Sequence, residues 1–470
     1  MFAFMYNKIT DKIENKIIEI CGKNNVICRN EPDLPAYSKD ESEAPPYLPE
    51  IAVIPDNSEI IPDLANYLNF EKIPITVRGG GTSVTGGCLP VFGGVVLSTA
   101  RLNKIIDLDK KNFCAVVQPG IVLRDFDNRV ESEGLFFPPD PNSIDSCSLG
   151  GNAAVSAGGP RALKYGITRN YILNLKTVFP DGTISNYGGK YEKVSTGYNL
   201  NHLITGSEGT LGIILEMTVK LIPKPLIVND MLVPFGKFED AAEIIPELMN
   251  KNLGMAVCEF IDSESIKYSE RFLNKKFQYS DEAEAQLLVQ FDGFDETEVT
   301  KSVETAGEIF LNNGALDVFV ASDEKTKNKI WEMRRTMRDA LKHIGKEKIG
   351  EDVVVPRNKI PDLLNGIKKI GRETGIKTAA YGHSGDGNVH VNVVRDDMEK
   401  NIWDIKKNEA IEKILKLSIE LGGSISGEHG IGFIKKKYLN WRLTEKEIGI
   451  MKNIKKSIDP NNIMNPGKIF

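Results

Sequence analysis

The sequence predicts an α+β protein, and three observations carry that reading. A buried strand, a helix and a second strand open the chain and run into a loop of glycine and hydroxyl residues, Pro74 to Gly87 (PITVRGGGTSVTGG). Two more glycine-rich regions follow, at 137–172 and 205–225, each set among strands and helices. From about Pro225 glycine thins out, and helical patterns alternate with strands in the manner of a second, α/β domain.

The elements follow in order. A helix is expected over Ile13–Ile20 and a short strand near Val26–Cys28, before a polar, proline-rich connection at Asp40–Pro49. Ile51–Pro55 reads as a buried strand; Asn57 or Ser58 caps a helix whose apolar positions are Ile61, Leu64, Leu68 and Phe70; the strand Ile75–Val77 leads into the loop. Strands near Val95–Ser98 and Cys114–Val117, a helix at Leu123–Ser132 and a hairpin from Leu175 complete the first part. In the second, helices at Phe238–Asn252, Thr297–Asn312 and Lys325–His343 alternate with strands such as Ala256–Ile261 and Ala285–Phe291. A last helix, Thr444–Ile458, precedes DPNNIMNPGKIF. No internal repeat or low-complexity segment interrupts the chain.

The loop suits phosphate, because Gly79, Gly80 and Gly81 let backbone N–H groups converge and Thr82, Ser83 and Thr85 add hydroxyls. It is not a Walker loop, since Gly86 and Gly87 are followed by Cys88 and Leu89. Nor is it a dinucleotide fingerprint, since Val84 holds the third glycine position and a strand follows. Several glycine-rich regions suggest one elongated ligand touched at several points; a ligand-free turn is the bland alternative.

Composition sets outer bounds. At 470 residues the chain has material for two or more domains. A net charge of −6 and the lack of a basic arm argue against nucleic acid. No window approaches a membrane span, and the apolar opening lacks a basic region and cleavage site, so no secretory leader is expected. The six cysteines form no CxxC pair, which disfavours zinc ribbons and iron–sulfur clusters and fits a reducing cytoplasm.

RGGGTSVTGG, PPDPNS, SLGGNAAVSAGG with KYGITRNYI, and TGSEGTLGI occur in an order that resembles the vanillyl-alcohol-oxidase-like flavoproteins (FAD-binding type 4). Within them, the chain is similar over essentially its whole length to the branch of glycolate oxidase large subunits, D-lactate dehydrogenases and D-2-hydroxyglutarate dehydrogenases. The resemblance implies a two-subdomain FAD-binding domain over 1–225, a substrate (cap) domain with a metal site over 226–430, and a C-terminal return to the FAD domain over 431–470. It implies FAD contacts from Arg78, Gly79, Gly80, Gly81, Thr82, Ser83, Gly86 and Gly87 around the pyrophosphate. Pro139, Asp140, Ser143, Ser148, Gly150, Gly151, Asn152, Ala153, Gly158, Gly159, Tyr165, Gly166, Thr168, Gly209, Gly212, Ile213 and Asn465 would line the rest. Relatives with covalent flavin carry histidine where Thr82 stands, so non-covalent FAD is expected.

Three of the five histidines fall in YGHSGDGNVHVNV and GEHGIG. A turn between His383 and His390 can bring the two together, and with Glu428 they suit a divalent metal with open positions; hydrogen-bonded turn histidines are the alternative. The resemblance implies His383, His390 and Glu428 as ligands of zinc, manganese or iron and His429 as the base that takes the hydroxyl proton of a 2-hydroxy acid while hydride passes to flavin N5. It implies Arg334 for the substrate carboxylate, with Arg338 one helical turn on, Lys435 a further candidate and Asn392 orienting substrate. Glu351 stands before the Asp-x-x-x-Pro segment where 2-hydroxyglutarate enzymes carry lysine, so D-lactate or glycolate is expected rather than a dicarboxylate.

The expected acceptor is a separate partner: an electron-transfer flavoprotein, a quinone or an iron–sulfur subunit. The expected setting is cytoplasmic, soluble or peripheral to a membrane, with a homodimer as one possible assembly. Two other functions remain open on sequence: a non-redox flavoenzyme like alkylglycerone-phosphate synthase, and a non-catalytic flavin subunit of a larger complex.

Overall fold

The computed structural model describes residues 6–470; the apolar opening, residues 1–5, lies outside them. A four-stranded sheet runs in the order Val26–Ile27, Ile51–Val53, Val95–Ser98, Ile75–Arg78. Its last two pairings are parallel, so Arg78 and Ser98 end together at the glycine loop. The helices Asp11–Cys21 and Ile61–Phe70 cover this sheet with Ile13, Ile17, Leu64 and Leu68. Thr10 caps the first by accepting from the Ile13 N–H.

The second sheet is antiparallel, in the order Ile105–Asp109, Cys114–Val117, Ile213–Lys220, Ile172–Val178, Ile184–Gly188. The edge strand Ile105–Asp109 escapes a sequence reading because none of its residues is fully buried, two of the five are aspartates, and a register shift after Ile105 breaks the alternation. Leu123–Glu131 packs against this sheet through Phe126 and Val130.

That helix also carries Asp127 into the core, where burial raises its carboxyl to about 8 and one oxygen has no partner. A carboxyl whose pKa is higher folded than unfolded adds stability below about 4 and loses it as pH climbs towards 8. Asp127→Asn should therefore raise the melting temperature at about pH 8 and leave it nearly unchanged at about pH 4. Equal melting shifts at the two pH values would mean that this carboxyl does not couple folding to pH.

The second part of the chain forms one seven-stranded sheet in the order Phe319–Ala321, Ile227–Phe235, Ala285–Gly293, Met255–Asp262, Lys377–Gly382, Asn388–Arg395, Glu347–Val354. Every neighbouring pair is antiparallel. The alternation of strand and helix is realised by split units. Ile227–Phe235 and Met255–Asp262, joined by the helix Phe238–Asn250, lie parallel with Ala285–Gly293 inserted between them. Glu347–Val354 and Lys377–Gly382, joined by Ile360–Thr374, repeat the arrangement around Asn388–Arg395. One face packs on the helices Phe238–Asn250 and Ile360–Thr374; the other is covered in part by the helices Ser263–Leu273 and Glu324–Ile344 and carries Glu259, Tyr381, His390, Asn392 and Asp352.

The two parts meet closely. Lys164 Nζ and Tyr165 Oη both reach Asp292 Oδ1 of the second sheet, at 2.5 and 2.9 Å. After the helix Glu445–Ile458 the chain returns to the first sheet, where Met464 bridges Ile75 and Asn465 donates to the carbonyls of Gly87 and Glu208.

Candidate functional site

The glycine loop and the polar face of the seven-stranded sheet enclose one cleft of about 1850 Å³, counting its open mouth. No backbone N–H from Gly80 to Val84 donates to a protein acceptor among the described residues, so the loop offers a row of free donors to an anion. The loop sits tightly on Ser146–Ser148: a Cβ on Gly79 or Gly80 would lie 2.2 Å from Ser148 Oγ or 2.1 Å from the Ser146 carbonyl. Only glycine fits there. Asn152 is buried on the cleft wall and its Nδ2 has no partner among the described residues.

Gly79, Gly80, Gly81, Thr82, Ser83, Gly87, Ser143, Ser148, Gly150, Gly151, Asn152, Gly209 and Gly212 line the cleft. Pro139, Gly86, Ala153, Gly158, Gly159, Gly166, Thr168, Ile213 and Asn465 are not part of that lining, although Gly158 packs against the Glu428 carboxylate. Three expected contacts have other engagements. Arg78 donates to the Lys39 carbonyl at 2.6 Å, Asp140 pairs with Arg161 at 3.3 Å, and the Tyr165 hydroxyl is taken by Asp292.

Across the cleft, the turn Gly382–Gly387 and the strand Asn388–Arg395 bring His383 and His390 together, and Glu428 arrives from a loop near the chain's end. His383 Nε2 is 3.3 Å from Glu428 Oε1 and 3.4 Å from His390 Nε2, which is itself 3.4 Å from Glu428 Oε1. Tetrahedral ligands held by bonds of about 2.0–2.1 Å stand about 3.3–3.5 Å apart, so this spacing suits a small divalent ion. Burial opposes ionisation of Glu428, but the neighbouring histidines win and pull it down to about 2. Burial pushes His390 down to about 3.

Asp352, His390 and His429 form a second candidate trio. Asp352 is already saturated: Oδ2 accepts from Ser426 Oγ and from the N–H groups of Gly427, Glu428 and His429 at 2.9–3.1 Å, and Oδ1 accepts from Asn388. It shapes the loop instead. Glu208, from the first part of the chain, accepts from the N–H groups of Ile431 and Gly432 farther along the same loop, at 2.8 and 2.7 Å.

His429 lies on the cleft wall, stacked on the His390 ring with centroids 5.2 Å apart. Arg334 is buried, its Nε on Glu259 and its guanidinium 4.8 Å above the Tyr381 ring, with its Nη groups free of protein partners among the described residues. Arg338 and Asn392 also line the cleft, and Asn392 Nδ2 is buried without a partner.

Lys435 is a correction. Its Nζ is buried on the far side of the sheet, pairing with Glu351 at 3.1 Å and donating to the carbonyls of Asp352 and Ile425. Glu351 is a second correction, because strand alternation turns its carboxylate away from the cleft face. Lys348, Gly350 and Asp352 occupy the cleft face, opposite Val394, Asn392 and His390. Lys348, half-buried with its ammonium pKa lowered by burial, lines the cleft.

Comparison with known proteins identifies the family. The family "FAD binding domain" matches residues 49–188, and "FAD linked oxidases, C-terminal domain" matches 225–469, more than half of the chain. The chain belongs to the FAD-linked oxidases. A D-lactate dehydrogenase of Anaerostipes hadrus is 37% identical, covering 100% of this chain and 99% of its own. The glycolate oxidase subunit GlcD of Bacillus subtilis is 36% identical, covering 98% and 97%. Among solved structures, p-cresol methylhydroxylase superposes with a TM-score of 0.81 at 18% identity, covering 99% of this chain and 98% of its own, a likeness of fold alone.

In this FAD-linked oxidase, sequence reasoning passed over Glu259, Lys348, Tyr381 and the loop-shaping roles of Asp352 and Glu208. The alternation of Lys348, Gly350 and Asp352 along one strand was a usable signal, as was an acid at 259 inside the apolar run MAVCEFI. Nothing local announced Glu208, whose partners lie more than 220 positions away.

Proposed function

We propose that this FAD-linked oxidase oxidises a small 2-hydroxy acid, D-lactate or glycolate, to the 2-oxo acid, using non-covalent FAD and a divalent metal. The observation that carries the reading is the convergence of His383 Nε2, His390 Nε2 and Glu428 Oε1 at 3.3–3.4 Å, facing the cleft beside Arg334 and His429. The names of the full-length relatives supply the substrate class. The residues fit both groups: free N–H donors and the orphaned Asn152 amide suit FAD, and the ligand spacing suits zinc, manganese or iron.

Once bound, FAD supplies the acceptor for the hydride of C2 and the metal a Lewis acid. Arg334 pairs its free Nη groups with the substrate carboxylate. Asn392 Nδ2, without a partner among the described residues, donates to a substrate oxygen. His429 Nε2 receives the hydroxyl proton, and the stacked His390 ring fixes its plane. Tyr381 and Val84 lend apolar surface to the cleft wall.

Electrons then leave to a separate acceptor, an electron-transfer flavoprotein, a quinone or an iron–sulfur subunit. Residues 1–225, 226–430 and 431–470 are the FAD, cap and returning segments of this reading, and the cytoplasm, with peripheral membrane contact, is its setting. No helix of the described residues is long and apolar enough to cross a membrane.

Anaerobic addition of D-lactate, L-lactate, glycolate or D-2-hydroxyglutarate, before and after chelation, tests the reading. Bleaching of the flavin absorbance by D-lactate or glycolate, lost on chelation, is expected. An unbleached flavin in fully loaded protein would turn the assignment towards a non-redox transferase or an assembly subunit. Thr82 offers no ring nitrogen on the cleft wall, so denaturation should release all FAD; yellow colour retained on the precipitated chain would contradict this.

A further inference from the structure

Glu259 lies in the strand Met255–Asp262 with no solvent exposure. A carboxylate in such a place is rare unless both oxygens are engaged. Here Oε1 is 2.5 Å from His383 Nδ1 and Oε2 is 2.5 Å from Arg334 Nε. One buried anion thus touches the first expected metal ligand on one side and the expected carboxylate-binding arginine on the other. Arg334 belongs to the helix Glu324–Ile344 and His383 to the turn after Lys377–Gly382, so neither element places the other's side chain directly.

We propose that Glu259 is a positioning residue that sets the metal ligand and the substrate-binding arginine in register with each other. The inference deepens the reading above and rests on it. By accepting the Nδ1–H of His383, Glu259 holds the ring in the tautomer whose Nε2 lone pair faces His390 and Glu428. By taking the Nε–H of Arg334, it stops that side chain from rotating and leaves the two Nη groups aimed into the cleft. A 2-hydroxy acid presents its hydroxyl and its carboxylate a fixed distance apart, so a single rigid bridge between their two receptors matches that distance. Substrates whose acid and hydroxyl groups are further apart would be refused on the same ground.

The test uses the FAD-loaded full chain. Glu259→Gln keeps the volume but loses the charge and one acceptor, so both contacts weaken together. Zinc affinity, measured by competition with a chromophoric chelator, should fall about 10–100-fold. In metal-saturated protein, the KM for the hydroxy acid should rise about tenfold, by more than kcat falls. A parent protein that takes up no zinc overturns the metal reading itself. A parent that binds zinc and a FAD-loaded variant that binds it within twofold, with KM unchanged, overturns the role of Glu259 alone.

If Glu259→Gln does not load FAD, nitrogen-15 histidine spectra of the zinc-loaded parent decide. A ring metallated at Nε2 whose Nδ1 proton is shifted far downfield by a carboxylate is expected. Absence of any such ring overturns the proposal.

Discussion

His429→Ala is expected to slow anaerobic flavin reduction by about 10²–10⁴-fold, the range over which a positioned base contributes, while FAD and metal contents stay at parental levels. The separation of effects follows from how the residue is held. Its backbone N–H is one of those gathered by Asp352, and its carbonyl accepts from Thr85 Oγ1 at 3.2 Å, so the main chain stays in place without the ring. The imidazole is a third exposed and reaches the cleft, with Nε2 3.9 Å from Glu428 Oε1, so its loss leaves the three ligand atoms where they were. Stopped-flow traces at 450 nm on metal-saturated protein give the rate. A variant reduced within threefold of the parent would remove His429 as the base, and the proton would then have to leave to solvent.

Asp352→Asn should have the second large effect, and it should be a joint one. Asp352 has no exposure, and against the penalty of that burial its neighbours His429, Lys435 and His390 and its hydrogen bond from Asn388 hold its carboxyl well below the usual range. The asparagine keeps one acceptor but turns an N–H₂ towards donors that were bonded to an oxygen. Breaking a buried charge away from its partners costs about 3–5 kcal/mol. We expect a melting temperature lower by several degrees, loss of metal and loss of flavin reduction together, with the Ser426–Gly430 loop the segment that loosens. Parental metal content in a folded Asp352→Asn would show that Glu428 is placed by its other contacts.

Much of the first half was legible because its signals are local. Gly79 and Gly80 must be glycine to sit on Ser146–Ser148, and Gly81 to hold a positive φ against the Arg78 guanidinium, and that demand shows as a string of glycines in the sequence itself. His383, His390 and Glu428 were legible by chemical type and clustering. What stayed hidden depends on sheet pairing across long separations. Whether Glu351 or Lys348 faces the cleft is decided by the register of Glu347–Val354 against Asn388–Arg395, which no window of the sequence contains. Lys435 misled for the same reason: a lysine near GEHGIG in the chain lies behind the sheet in space. The split units of the seven-stranded sheet likewise depend on which strand inserts between two others, and strand and helix alternation reads the same either way.

The loop from Ser426 to Gly432 is gripped by two buried carboxylates, Asp352 from one half of the molecule and Glu208 from the other. The two halves are therefore joined through the wall of the cleft as well as around it. Whatever settles into the cleft stiffens the seam, and whatever pries the seam open dismantles the cleft. In a calorimeter such a protein should melt as one cooperative unit rather than two, and a bound hydroxy acid should delay the melting of residues on both sides equally.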